Sequence, residues 1–289
     1  GTSSFGTGTQ FLGAGTNLLD RGEVTLDGTI ISTNAELAGA VVFGTNTVRG
    51  LMRWTGGSIH NSAKVSIGED GQLEISGPKE KILGGTLSNQ GLVRLTGAAA
   101  LGLCAGTVEN RGVFELENDQ PIYLGGYCGP SFFRNTGLLR KSGGTGTNLF
   151  WSVAMANTGS IEVQRGWISF GTSSFGTGTQ FLGAGTNLLD RGEVTPDGTI
   201  ISTNAELAGA VVFGTNILRG TMRWTGGNIH NSAKVSIAED GQLEISGPTA
   251  KTLGGTLSNQ GLVRLTGAAA LVLCAGTVEN RGVFELEND

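Results

Sequence analysis

Asn89-Gln90-Gly91-Leu92-Val93-Arg94-Leu95 returns 21 residues on as Asn110-Arg111-Gly112-Val113-Phe114-Glu115-Leu116, and 25 further on as Asn135-Thr136-Gly137-Leu138-Leu139-Arg140-Lys141. Each copy opens on Asn and has Gly two residues later. Apolar residues are expected four and six residues after the Asn, with a charge between them. Apolar residues alternating with polar ones at period two mark a half-buried strand, and Asn followed by Gly marks a turn. Asn61 with Val65 and Ile67, and Asn157 with Ile161 and Val163, read the same way, whereas Asp190 with Val194 and Pro196 is a weaker copy. Lys141 breaks the pattern at a position where an apolar residue is expected.

Successive starts from Asn61 lie 28, 21, 25, 22 and 33 residues apart, and 41 more reach Asn231. Spacings of this size predict one coil of a solenoid each, with 41 fitting two, so about seven coils fill the interval. Within a coil, Leu92 to Leu95, Ala98 to Leu103 and Thr107 to Val108 read as three strands; Val113 to Leu116, Ile122 to Leu124 and Phe132 to Phe133 repeat the order. No segment has helical periodicity. The expected fold is all-β: a single-stranded parallel β-helix, or β-solenoid, wound right-handed with three short strands per coil of about 21–28 residues. Seven coils would advance on the order of 34 Å.

Residues 1–119 recur at 171–289 with ten differences, among them Leu26 against Pro196, Ile82 against Thr252 and Gly102 against Val272. The chain therefore reads as one complete tandem repeat, 1–170, and a partial second, 171–289, continuous in one solenoid and a window on a longer array. Its 51 Gly imply many turns, while five Pro and no Gly-X-Y triplet exclude collagen. A net charge of −5 with scattered Lys and Arg offers no face for nucleic acid. No apolar run approaches the roughly 18 residues of a spanning helix.

Superposed coils stack Asn61, Asn89, Asn110, Asn135 and Asn157 at a corner. Asn tolerates a left-handed backbone there, and its amide can bond to the next Asn in a ladder. The following Gly supplies either unusual backbone angles or room for a tight approach. Arg94, Glu115, Arg140 and Glu162 fall five residues after their Asn, as an outward ladder of alternating charge that opposes register slips. Cys104 and Cys128 lie one coil apart and should stack, as a disulfide or as two buried thiols; a disulfide implies an extracellular setting. Cys274 repeats Cys104, and its counterpart partner falls beyond Asp289.

No catalytic, cofactor or metal constellation is read from the residues. His60 and His230 are two copies of one position, and no Cys or acidic cluster near them has ligand spacing. The acids of the charge ladder are separated by arginines, unlike a converging carboxylate pair for glycoside hydrolysis. Trp54 and Trp224, copies of each other, are candidate glycan-stacking rings, with core packing as the alternative.

Asn157-Thr158-Gly159-Ser160-Ile161-Glu162-Val163 and Gly166-Trp167-Ile168-Ser169-Phe170-Gly171 resemble the repeats of bacterial surface and secreted β-helix proteins, the autotransporter and filamentous-haemagglutinin-like adhesins. The resemblance covers essentially the whole chain. It implies an exported shaft or passenger region and carries no catalytic residue to transfer. Its motifs are low in information, and the near identity of the copies exceeds what a solenoid requires. The functional expectation is a non-enzymatic structural extracellular fibre or stalk, whose partners are further copies of the repeat end to end. The alternative is a repetitive surface adhesin binding glycans through lateral patches.

Overall fold

The computed structural model describes residues 1–287; Asp289, the counterpart of Asp119, lies outside the described residues. The chain divides into two compact units, Gly1–Ala154 and Met155–Asp289. The described residues contain no helix, and parallel strands stack into β-solenoid coils, about 14 turns in all.

In the first unit, Leu92–Leu95, Leu101–Leu103 and Thr107–Asn110 lie in register beneath Val113–Leu116, Ile122–Leu124 and Phe132–Asn135, respectively. Because side chains alternate and the register holds, each inward position becomes a column. Leu73, Val93, Phe114 and Leu139 form one, and Val65, Leu87, Val108 and Phe133 another, all buried. Across the interior the rings of Phe114, Phe133 and Phe150 meet edge to face, with centroids 5.0 and 5.3 Å apart. Each buried ring contributes on the order of 2–3 kcal/mol of apolar transfer.

Three expectations about the coils need correction. First, coils run from 17 residues, Leu37 to Trp54, to 28, Ile122 to Phe150, rather than from 21. Second, not all strands are short: Gly28–Phe43 and Thr45–Ile59 bend through three faces each and Lys64–Ile75 through two. With those bends counted, one 170-residue repeat contains 25 strand segments, eight coils and one segment over, where seven coils were expected. The tight corners that allow this are glycines such as Gly44, Gly50 and Gly57, all at positive φ.

Third, Asn61 is not in the corner stack. It is exposed in a turn, and the residue in register with Asn89 is Ile67. Strand Lys64–Ile67 stacks under Thr86–Asn89, so the coil read from Asn61 is displaced by one face.

Asn89, Asn110 and Asn135 form a buried ladder in the first unit. Asn89 Nδ2 donates to Asn110 Oδ1 at 2.7 Å, and Asn110 Nδ2 donates to Asn135 Oδ1 at 2.7 Å. Asn89 and Asn110 also donate to the next coil, to the carbonyls of Val113 (2.8 Å) and Leu138 (3.0 Å). None of these residues has positive φ, so the amide ladder rather than a left-handed backbone selects Asn. The ladder begins at Asn89, whose Oδ1 has no hydrogen-bond partner above the apolar Ile67.

We expect Asn110→Leu to cost about 2–3 kcal/mol, because Asn135 Oδ1 loses its Asn110 donor and Asn89 Nδ2 loses an acceptor inside the core. Native-state hydrogen exchange of the 89–139 amides reads this loss; unchanged protection would show the ladder to be energetically idle.

In the second unit, Ser173–Phe175 stacks on Met155–Asn157, so residue 171 falls inside a unit. Asn157 Nδ2 donates to Thr179 Oγ1 at 3.0 Å, and Asn259 donates to Asn280 at 2.7 Å. Asn187 and Asn204 form a further rung at 2.8 Å. Phe170, Phe175 and Phe181 pack edge to face within the core.

Candidate functional site

The charged column is longer than the four expected residues and more uneven. In the first unit Glu36, Arg53, Glu74, Arg94, Glu115 and Arg140 follow one another in register. Arg140 Nε donates to Glu115 Oε2 at 2.8 Å, but Arg94 turns to Glu117 rather than Glu115 (Nε to Oε1, 3.0 Å). In the second unit the alternating column is Glu206, Arg223, Glu244, Arg264 and Glu285. Glu162 lies in register with Leu182 and accepts from Gln164 Nε2 at 3.1 Å.

Trp54 and Trp224, the expected glycan rings, are 0% and 1% exposed. Both occupy inward strand positions, and each indole N–H donates to a carbonyl of its own turn, Gly57 at 3.3 Å and Gly227 at 3.4 Å. A ring filling the core has no face to offer a sugar, so this expectation is withdrawn. The exposed indoles are Trp151, at 60%, and Trp167.

Cys104 and Cys128 form a disulfide with Cα atoms 5.0 Å apart, joining adjacent coils. It anchors the loop that carries the fully exposed Tyr127, whereas Cys274 is a free, exposed thiol. The crosslink closes a loop of sequence separation 24, so reduction should lower the stability of the first unit by about 3 kcal/mol. Thermal melts with and without reductant, compared with Cys128→Ser, read the loss; identical curves would contradict it.

The break at Lys141 builds a polar centre. Lys141 continues the inward column of Ile75, Leu95 and Leu116 and is fully buried. Its ammonium shares three N–H donors among four oxygens within hydrogen-bond distance: Asp119 Oδ1 at 2.7 Å, Asn148 Oδ1 at 2.8 Å, and the carbonyls of Asn118 and Gly143 at 2.9 Å. Burial opposes ionisation of Asp119, but hydrogen bonds from Lys141 and the Gly146 and Thr145 amides outweigh it and hold the carboxyl below its usual range. Lys81 and Lys251 are also buried; Lys81 donates to the Gly77 carbonyl at 2.6 Å and Lys251 to the equivalent Gly247 carbonyl at 2.5 Å. Burial lowers the pKa of both amines.

His60 and His230 each bond a serine two residues on, at 2.9 Å, and lie against Phe43 and Phe213. Among the described residues no three His, Cys, Asp or Glu side chains are grouped to hold a metal ion.

One outward surface stands apart. Ile82, Gly102, Tyr123 and Trp151 form a column on successive coils of the first unit. Tyr123 Oη reaches Glu80 Oε1 at 3.4 Å. Burial, then the charge and hydrogen bond of Glu80, raises the pKa of the phenol. No family model, curated protein or solved structure matches this chain.

Proposed function

We propose that the chain is a segment of an extracellular structural fibre or stalk, of the kind displayed by bacterial surface β-helix proteins, with further copies of its repeat as partners. The observation that carries this reading is the near-identical 170-residue repeat built from coils whose core, amide and charge columns all follow one parallel register. Such a stack gains length by adding copies, since each coil requires only its neighbours. The disulfide supports an oxidising, extracellular setting, and no residue is assigned a catalytic role.

At about 4.8 Å per coil, eight coils and one segment advance on the order of 40 Å. Chains carrying two, four and six repeats, imaged by electron microscopy, should be rods that lengthen by that step per repeat. Particles that grow in all directions would refute the reading.

A further inference from the structure

The Tyr123 side chain does not stand away from its sheet. Its hydroxyl reaches Glu80, which precedes the Ile82 strand two coils back along the column. A Cβ placed on the intervening Gly102 would lie 3.2 Å from Tyr123 Cζ and 3.3 Å from Oη. The hydroxyl end of the half-buried ring therefore lies over the glycine, along the column. Trp151, 60% exposed, occupies the same column on the following coil.

The second copy differs in this column. Ile82 and Gly102 become Thr252 and Val272, which stack on each other in the same way. Two of the ten differences between the copies are thus neighbours that exchange bulk.

We propose that Tyr123 and Trp151 form a platform for a neutral pyranose polysaccharide, with Glu80 accepting hydroxyl hydrogen bonds at its edge. A flat aromatic face stacks on the apolar C–H face of a sugar ring, and a carboxylate beside it satisfies the hydroxyls at the sugar's rim. The exposed carboxylate of Glu80 disfavours uronic acid and sulfated chains by like-charge repulsion. The platform is independent of the fibre reading, since a rod of any length could carry it or lack it.

The test is electrophoresis of the whole chain through native gels containing hydroxyethylcellulose, xylan, galactomannan or laminarin. Retardation is expected in at least one gel, with apparent affinity at least five-fold lower for Trp151→Ala and for Gly102→Val and largely kept in Tyr123→Phe. Because a Cβ on Gly102 would lie 2.6 Å from Ile82 Cδ1, Gly102→Val is made together with Ile82→Thr, the pair that the second copy accommodates as Thr252 and Val272, and circular dichroism with thermal melting verifies its fold. If this double variant does not fold, Tyr123→Ala takes its place. No retardation in any of the four gels overturns the proposal, as does retardation that Trp151→Ala leaves intact. Sedimentation showing self-association that Trp151→Ala abolishes, without polysaccharide binding, assigns the rings to a second copy and also overturns it.

Discussion

Lys141→Met should destabilise the first unit by about 3 kcal/mol although Met suits an inward position above Leu116 better than Lys does. The substitution removes the only charge at the centre of four oxygens. Asp119 is partly exposed and can rehydrate, but Asn148 is fully buried, and its carbonyl and those of Asn118 and Gly143 lose the donor they shared. Removing one partner from a buried polar centre leaves the others desolvated and unpaired, which commonly costs 3–5 kcal/mol. The lower end applies because one of the four partners reaches water. Hydrogen exchange at Leu138–Lys141 and Ile122–Leu124 measures it. Replacing Asn148 with Leu in the same chain should return part of the loss, because an apolar pair leaves fewer orphaned groups. A double variant weaker than the single would show that Asn148 acts through its bonds to Asn118 and Gln120 instead.

The same centre fixes an acid limit. The Asp119 carboxyl titrates below its ordinary value in the fold, so its contribution is complete above an unfolded pKa of about 4 and is lost as pH falls through the lower folded value. Acid titration should therefore weaken protection around residues 118–148, and Lys141→Met should flatten that response. A variant with an unchanged acid response would place the dependence on other carboxylates.

Gly112→Val should be more damaging still, at 4 kcal/mol or more, or should prevent the first unit from folding. A Cβ there would overlap the Gly91 carbonyl oxygen of the coil below and lie 2.7 Å from the Gln90 carbonyl carbon. Those atoms belong to backbone that accepts from Val113 N–H at 2.9 Å, so neither side can yield without opening the ladder. A substitution that forces main chains apart belongs among the few exceeding ordinary overpacking costs. Gly97→Ala is the contrast. Gly97 has φ +59° and nothing within 4 Å of an added Cβ, so only the left-handed strain of about 1–2 kcal/mol is expected. Equal effects in urea unfolding would show that backbone angle, and not coil-to-coil distance, selects both glycines.

The contrast also marks what could be read from the residues alone. Between Asn89 and Asn135 the strand bounds and the stack follow from Asn, Gly and alternation, because each corner there has the same construction. Asn61 misleads because alternation alone matches at Val65 and Ile67. Its missing Gly, with Ala63 in that place, is the signal that this turn is of another kind. Residues 28–75 conceal their coils because the chain turns at corners as short as the single glycines Gly50 and Gly57, both at positive φ, so no loop of the usual length separates the strands. The Trp54 and Trp224 rings are ambiguous in the sequence because one alternating strand presents a ring to the core or to water according to register, and no Asn-x-Gly corner fixes the register there. Lys141 stands out as a fault in the pattern. Its partners do not, since Asp119 lies in a loop and Asn148 on the strand Thr147–Trp151 beyond another loop. The seat of Tyr123 over Gly102 is visible only across two coils.

The amide ladder has a kinetic meaning. Stacked identical side chains and in-register parallel strands are also how separate chains assemble into cross-β fibrils, where every added layer must be captured from solution and the rate depends on concentration. Here the corner between one coil and the next makes that capture intramolecular, so each layer templates its successor at a rate first order in protein. A chain of this design can solidify coil by coil, however dilute.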